Sequence, residues 1–225
     1  MLETTAHLSL RIQILTAFID GWGLTLKVDP ASEIFKELLR VELVVQTIEM
    51  IFYIWMVRNM TKVPNITVYR YIDWVFTTPT MLLTLIVFLD HEEGKIVTLK
   101  EAIKSNESLL KKVIGLNMAM LTSGFLGEVG AIDTRTGAAV GFLPFAAYWK
   151  AIYDEKIKGK ASTDVKVKVF WYFVVFWTLY GVAALMPYRE KNAMYNVLDL
   201  FAKNFFGIFL VVIVWQKHKK FLAGR

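Results

Sequence analysis

Two charged residues lie four positions apart within a segment that otherwise suits a membrane interior, "NVLDLFAKNFFGIFLVVIVW" (196–215). Side chains four residues apart share one face of a helix, so Asp199 and Lys203 can form an ion pair. A charged side chain in that setting costs at least ~2.5–3.5 kcal/mol on insertion scales, and intramembrane charges are usually buried, paired and functional. The spacing therefore fits either a structural ion pair or a lysine whose positive charge serves a reaction.

A second charged group lies in "YRYIDWVFTTPTMLL" (69–83). Arg70 and Asp73 are three residues apart and share a helix face, and Thr77 follows one turn later. Asp73 can therefore meet Asp199 and Lys203 at mid-membrane depth, with Arg70 nearer the outside. Two carboxylates around one lysine would stabilise its positive charge.

Aromatic residues near these charges favour a reactive lysine. Trp74 follows Asp73 directly, and Trp177 and Tyr180 are three residues apart in a later apolar segment. A lysine amine forms Schiff bases with aldehydes, and a protonated Schiff base would need carboxylate counterions. Flat rings and carboxylates around a lysine suggest that an elongated, apolar group is attached to it.

The composition places the chain among membrane proteins. Of its 225 residues, 56% are hydrophobic, with 16 Phe, 9 Tyr and 7 Trp, whereas soluble domains are about 45–50% apolar with glycine included. The absence of cysteine excludes disulfides and thiolate metal sites, and we expect no metal site. The net charge of +6 could suit a nucleic-acid binder, but the basic residues cluster in short loops and the tail, as membrane topology predicts. We expect a multi-pass integral membrane protein in a lipid bilayer, with no nucleic-acid partner and no enzymatic activity.

The long apolar segments predict an all-α, seven-transmembrane-helix bundle formed by a single domain, residues 1–225. A spanning helix needs about 20 mostly apolar residues, and seven segments meet that need: 8–28, 34–58, 67–89, 109–129, 137–156, 166–187 and 193–216. Short loops make successive helices antiparallel neighbours. The longer polar connection 90–108 has room for an extra turn or a surface helix.

The lysine-rich segments predict the orientation of the bundle. The tail "QKHKKFLAGR" and the loop "KIKGKASTDVKVK" are strongly basic, so we expect them on the cytoplasmic side. Seven spans then place the N-terminus on the extracellular side.

At this point the chain resembles the microbial rhodopsins. The motifs are "RYIDW" followed by "TTP", "MLTSG", "WTLY" and "LDLFAKNFFG", and the resemblance is better over the third to seventh spans than over the first two. It implies all-trans retinal held as a Schiff base on Lys203, with Asp73 as primary counterion and proton acceptor, Asp199 as second counterion and Arg70 as the extracellular-side gate. It also implies that the following residues line the chromophore: Trp74, Thr77, Thr78, Met81, Met120, Gly124, Trp177 and Tyr180. An apolar Met81 at the colour-tuning position suggests green absorption.

Two positions depart from the family pattern. Proton pumps of this family carry a carboxylate eleven residues after the counterion, which returns a proton to the Schiff base. Thr84 stands at that position here and cannot serve as a carboxylic donor. Gly181 stands where the family usually has a proline that kinks the sixth span.

The second span carries one continuous polar stripe: Glu42, Gln46, Glu49 and Tyr53. Their spacing puts all four on one helix face, which should point into the bundle because lipid contact would be costly. Carboxylates that line a water path select cations in pores, and channelrhodopsins resemble this chain in their repeated second-helix glutamates. The alternative is that Glu42 extends to the cytoplasmic interface or pairs with Arg40. In the first span, Asp20 can add to the polar lining or form structural hydrogen bonds.

The chain also resembles the viral rhodopsins of large algal viruses, which would place it in a host cell membrane. We expect a light-gated cation channel. The alternative is a light-driven outward proton pump, in which Glu42 or Glu49 replaces the missing donor. A sensory photoreceptor and a membrane protein without chromophore, with a structural Asp199–Lys203 pair, are further hypotheses. The expected partners are transported cations or protons and further copies of the chain in a homo-oligomer.

Overall fold

The computed structural model describes residues 1–224, so Arg225 at the end of the basic tail lies outside the described residues. The described chain is almost entirely helical. Its α-helices are α1 (Leu2–Thr25), α2 (Glu33–Asn59), α3 (Ile66–Asp90), α4 (Leu99–Ser105), α5 (Glu107–Glu128), α6 (Thr134–Ile152), α7 (Val165–Ala183), α8 (Tyr188–Asp199) and α9 (Phe205–Ala223). A 3₁₀ turn (Pro30–Ser32) precedes α2, and π-helical turns follow α6 (Tyr153–Ile157) and α8 (Leu200–Asn204).

These helices form seven long rods. Helix α8, the π turn Leu200–Asn204 and α9 continue one another without a break over Tyr188–Ala223, a rod of 36 residues. The other six rods are α1, α2, α3, α5, α6 and α7, of 19 to 27 residues, about the length that a membrane span needs. Four rods are also apolar enough to span by composition: Ile66–Asp90, Glu107–Glu128, Val165–Ala183 and Tyr188–Ala223.

Each predicted span overlaps one of these rods, and the differences lie at the ends. The first rod begins at Leu2 rather than at residue 8, and the last continues to Ala223 rather than to 216. The residues in these extensions are mostly polar, so the prediction from apolar segments left them out. A helix can continue beyond the apolar core of the bilayer into the interface, where polar side chains are tolerated. The sixth rod ends at Ala183, and Pro187 directly precedes α8, so the seventh rod starts five residues before its predicted start. The connection 90–108 contains the short helix α4, as predicted.

Helix α1 shows how the bundle is turned with respect to lipid. Its buried positions, spaced three or four apart, include Ser9, Gln13, Thr16 and Asp20. Its exposed face carries large apolar residues such as Phe18, 74% exposed. Polar side chains therefore point into the bundle while apolar side chains face outward, as expected of a helix in a bilayer.

The two ends of the bundle differ in their packing. We call them the Asn65 end, where α3 begins, and the Asp90 end, where α3 finishes. Near the Asp90 end, apolar side chains from α2, α3, α7 and α9 form one buried cluster, which includes Leu38, Leu85, Phe170 and Leu210. Toward the Asn65 end, a buried ion pair joins α5 to α8, in which Lys191 Nζ lies 2.7 Å from Glu128 Oε2.

Helices α5 and α6 approach closely because both carry small residues at their contact. A Cβ placed on Gly137 would lie 2.9 Å from the Ser123 carbonyl oxygen and 3.1 Å from Gly127 Cα. The Ser123 hydroxyl donates a hydrogen bond to the Gly137 carbonyl oxygen at 2.8 Å. Small residues that allow close backbone approach are the usual basis of helix association in membranes.

We predict that Gly137→Ala destabilises the protein by about 1–3 kcal/mol, because the added methyl group must displace backbone atoms of α5. The measurement is thermal unfolding of the apoprotein in detergent. Gly115→Ala is the matched control, since Gly115 lies in α5 with no atom within 4 Å of an added Cβ. Equal unfolding temperatures for the two variants would contradict the tight contact.

Candidate functional site

The central feature of the interior is the Lys203 ammonium group, which lies in the π turn of the seventh rod and is 2% exposed. Its Nζ donates a hydrogen bond to Asp73 Oδ2 at 2.7 Å. It also lies 3.5 Å from Glu49 Oε1 and 3.6 Å from Asp199 Oδ1. The structure thus brings Asp73, Asp199 and Lys203 together and adds Glu49 as a third carboxyl group.

Asp199 is held by three hydrogen-bond donors. Tyr53 Oη donates to Asp199 Oδ2 at 2.6 Å, and Tyr180 Oη donates to Oδ1 at 2.8 Å. Arg70 Nη1 donates to Oδ2 at 3.2 Å. These bonds tie Asp199 to side chains of α2, α3 and α7 and place its carboxyl group between Arg70 and Lys203.

Arg70 is fully buried toward the Asn65 end of this cluster. Its Nε donates to Asn192 Oδ1 at 3.0 Å, and its Nη2 donates to Asn196 Oδ1. We did not predict these two asparagines, although the sequence carried the signal. Asn192, Asn196, Asp199 and Lys203 follow one another at spacings of four, three and four, which puts them on one helix face.

The polar stripe of α2 points into the bundle as predicted, since its four residues are all at most 1% exposed. Glu42 accepts a hydrogen bond from the Thr84 hydroxyl. Arg40, by contrast, is exposed. The alternative in which Glu42 extends to the interface or pairs with Arg40 is therefore wrong.

Polar residues of α1 and the seventh rod extend this stripe. Gln46 Nε2 donates to Asp20 Oδ2, Thr16 Oγ1 donates to Gln46 Oε1 at 3.3 Å, and Asn204 Nδ2 donates to Thr16 Oγ1 at 2.6 Å. Gly207 allows the contact, because a Cβ there would overlap the Asp20 carboxylate. The polar groups thus continue from the Lys203 cluster along α2, with α1 and the seventh rod beside it.

An apolar, aromatic cavity begins at Lys203. Seven of the eight residues predicted to surround the chromophore line it: Trp74, Thr78, Met81, Met120, Gly124, Trp177 and Tyr180. Thr77 is not among its lining residues, and its hydroxyl donates to the Asp73 carbonyl oxygen at 2.9 Å. The cavity is also lined by residues that we did not predict, among them Tyr71, Leu121, Phe142, Phe145 and Tyr195.

The cavity walls fit a long apolar group attached to Lys203. Trp74 packs edge-on against Tyr180 and Tyr195, with ring centroids 5.8 and 5.1 Å apart. A Cβ on Gly124 would lie 2.6 Å from Tyr71 Oη, so the glycine makes room for the Tyr71 side chain in that wall. Lys203 contributes the amine, and the rings contribute flat surfaces on which a conjugated chain can lie.

The family model described as bacteriorhodopsin-like protein matches residues 4–217. Among curated proteins, the green-light absorbing proteorhodopsin of Gamma-proteobacterium EBAC31A08 is 24% identical over 164 residues, which cover 67% of this chain and 60% of that protein. The bacteriorhodopsin of Halobacterium salinarum is 25% identical over 158 residues, 63% of this chain and 55% of that protein. The match thus spans about three fifths of the length of these curated relatives.

Solved structures match over almost the whole chain. The viral rhodopsin OLPVRII superposes with a TM-score of 0.83 and 27% identity, over 96% of this chain and 98% of that one. Xanthorhodopsin, described as a light-driven ion pump with dual chromophore, gives a TM-score of 0.76 at 15% identity, over 97% and 94% of the two chains. The second likeness shows the shared fold alone.

We predict that Lys203→Met destabilises the apoprotein by about 3–5 kcal/mol, because it leaves buried carboxylates without their central cation. Adding Asp73→Asn to this variant should restore part of the loss by removing one of those carboxylates. The measurement is the midpoint of thermal unfolding in detergent at neutral pH.

Lys150→Met is the control for this prediction, since the Lys150–Asp154 pair is largely exposed and such pairs contribute little. If Lys203→Met unfolds at the temperature of the unmodified protein, the carboxylates do not depend on the lysine charge.

Proposed function

Because this chain belongs to the bacteriorhodopsin-like protein family, we propose that it is a light-activated retinal protein that moves cations across a membrane. It is an integral, multi-pass membrane protein. The observation that carries the proposal is the position of the Lys203 amine, which lies among three carboxyl groups at the start of an aromatic cavity. A purely structural ion pair would explain the carboxylates but not the cavity.

All-trans retinal held through the Lys203 nitrogen would supply absorption of visible light and a change of shape next to the carboxylates. Trp74, Trp177, Met81 and Met120 would hold its chain and ring, since all four line the cavity. Their apolar surfaces would also keep water away from the Lys203 nitrogen, which would strengthen its attraction to the nearby carboxylates.

The charge cluster can move one proton over a short distance. A proton on the Lys203 nitrogen lies in a 2.7 Å hydrogen bond to Asp73 Oδ2, within the range for direct transfer. Transfer to Asp73 would neutralise both groups at once. Asp199 would keep Arg70 as its charge partner, so the central ion pair would be lost while the pair nearer the Asn65 end stays intact.

We favour a light-gated cation channel. Its support is the polar path along Glu42, Gln46 and Glu49, which Asp20 and Asn204 continue beside α2. When Asp73 accepts the proton, Lys203 becomes neutral and no longer attracts the carboxyl groups around it as strongly. Water and cations could then enter along oxygen atoms, the ligands that alkali and alkaline-earth cations prefer.

A light-driven outward proton pump is the second candidate, and one contact favours it. Thr84 stands at the position of the missing donor carboxylate, and its hydroxyl donates to Glu42. The Glu42 carboxyl group, on α2, therefore lies next to the position on α3 that holds the donor carboxylate in proton pumps of the family. The buried apolar cluster near the Asp90 end would limit free ion flow, as a pump requires.

We further propose that residues 1–225 form one retinal-binding domain, with the Asn65 end extracellular and the Asp90 end cytoplasmic. Lysines concentrated at the Asp90 end support this orientation: Lys156 pairs with Asp90 at 2.6 Å, and Lys217 pairs with Glu93 at 2.5 Å. Basic residues are enriched in cytoplasmic segments of membrane proteins. A homo-oligomer in the bilayer stays a prediction.

We predict that the purified protein forms a visible absorption band when all-trans retinal is added, and that Lys203→Ala abolishes the band. The reason is that only an amine at the cavity end can hold the chromophore covalently. Lys150→Ala, which removes an exposed lysine, should keep the band. A wild-type protein without a band, or a band that persists in Lys203→Ala, would contradict the chromophore assignment.

The illuminated current–voltage curve separates the two transport hypotheses. For a channel we expect a photocurrent whose reversal potential follows the cation gradient. A current that stays outward at all voltages would support the pump instead. In that case Glu42→Gln should slow reprotonation of the Lys203 nitrogen, and Glu33→Gln, a change at the start of the same helix, should not. An unchanged rate in Glu42→Gln would exclude Glu42 as the proton donor.

A further inference from the structure

The charges around Lys203 do not balance if every group is ionised. Two cations, Lys203 and Arg70, face three carboxyl groups, Asp73, Asp199 and Glu49. All five are at most 4% exposed. An uncompensated charge in such an interior is strongly unfavourable, and a buried group neutralises instead when it can. One proton on a carboxyl group makes the cluster neutral.

Hydrogen bonds identify which carboxyl group holds that proton. Asp199 accepts from Tyr53, Tyr180 and Arg70, and Asp73 accepts from Lys203. Neither oxygen of Glu49 accepts a hydrogen bond from any residue in the described part of the chain. Donors stabilise the ionised form of a carboxyl group, so Glu49 has the least support for a negative charge.

The groups on the neighbouring helices do not change this conclusion. Asp73 on α3 and Asp199 on the seventh rod are negative and repel a charge on Glu49. The buried acidic residue of the adjacent α1, Asp20, is bound to Gln46 and adds no positive charge. Lys203 attracts Glu49, but its Nζ lies 3.5 Å from Glu49 Oε1, farther than the 2.7 Å hydrogen bond that it donates to Asp73 Oδ2.

We infer that Glu49, the third carboxyl group at the Lys203 nitrogen, is protonated in the resting protein. It becomes an additional counterion when it loses that proton. Asp73 is then the ionised carboxylate within hydrogen-bond distance of the nitrogen, which defines it as the proton acceptor. Glu49 in turn sets how the absorption of the protein responds to pH. The inference about absorption rests on the proposed function, whereas the protonation of Glu49 does not.

The sign of the expected colour change follows from electrostatics. Excitation of a conjugated chain attached to a protonated nitrogen moves positive charge away from that nitrogen. A new negative charge on Glu49 would stabilise the ground state more than the excited state, and absorption would shift to shorter wavelength. Replacement of a protonated Glu49 by glutamine exchanges one neutral group for another and leaves the wavelength nearly unchanged.

The first experiment titrates retinal-loaded wild type, Glu49→Gln and Glu33→Gln from neutral to alkaline pH. We expect nearly equal absorption maxima at neutral pH and a shift to shorter wavelength at alkaline pH in wild type and Glu33→Gln, but not in Glu49→Gln. A shift to longer wavelength in Glu49→Gln at neutral pH would mean that a negative charge was removed, and would overturn the inference. So would an alkaline shift of the visible band that persists in Glu49→Gln while the Lys203 nitrogen is still protonated.

A second measurement needs no retinal and separates this inference from the proposed function. Infrared difference spectra of the apoprotein, wild type against Glu49→Asp at neutral pH, should contain the C=O stretch of a protonated carboxyl group at two frequencies, one for each variant. Absence of that pair of bands would show that Glu49 is ionised. If wild type takes up no retinal but the bands are present, the proposed function fails and the protonation of Glu49 stands.

Discussion

The structure depends on compensation of one buried positive charge. Lys203 lies in an interior of low dielectric constant, where an unpaired ammonium group would be strongly destabilising. Asp73, Asp199 and Glu49 come from three different helices to surround it. Because these helices must meet at one depth to place their carboxyl groups within 4 Å of the same nitrogen, the cluster fixes the relative heights of α2, α3 and the seventh rod.

The same charge divides the bundle into two environments. On one side of Lys203 lies an aromatic cavity, with Trp74 and Tyr180 in its wall. On the other side lies the hydrogen-bonded network of Gln46 and Asp20. An apolar group attached to the lysine would therefore lie among aromatic side chains, while protons or cations would move along the polar side chains. Under the proposed function, this separation would let a change of shape in the cavity alter charges in the polar path without a direct contact between them.

Much of this arrangement could be predicted from the sequence, because helix periodicity assigns residues to faces. It brought Asp199 and Lys203 together and turned the α2 stripe inward. Periodicity does not give the relative heights of separate helices, so the 3.5 Å distance from Glu49 to Lys203 appears only in the folded chain. Thr77 was assigned to the cavity by family motif, whereas its hydroxyl binds the backbone of its own helix.

Channel and pump differ in what lies between the polar path and the Asp90 end. The path runs along α2 as far as Glu42 and Thr84, and the apolar cluster around Leu38 and Leu85 follows toward that end. Apolar side chains at such a constriction exclude water and ions while they stay packed. A proton needs only a brief chain of water across this layer, whereas a hydrated cation needs the helices to separate. Under the proposed function, the packing of this layer, more than the carboxyl groups themselves, would therefore decide between the two transport modes.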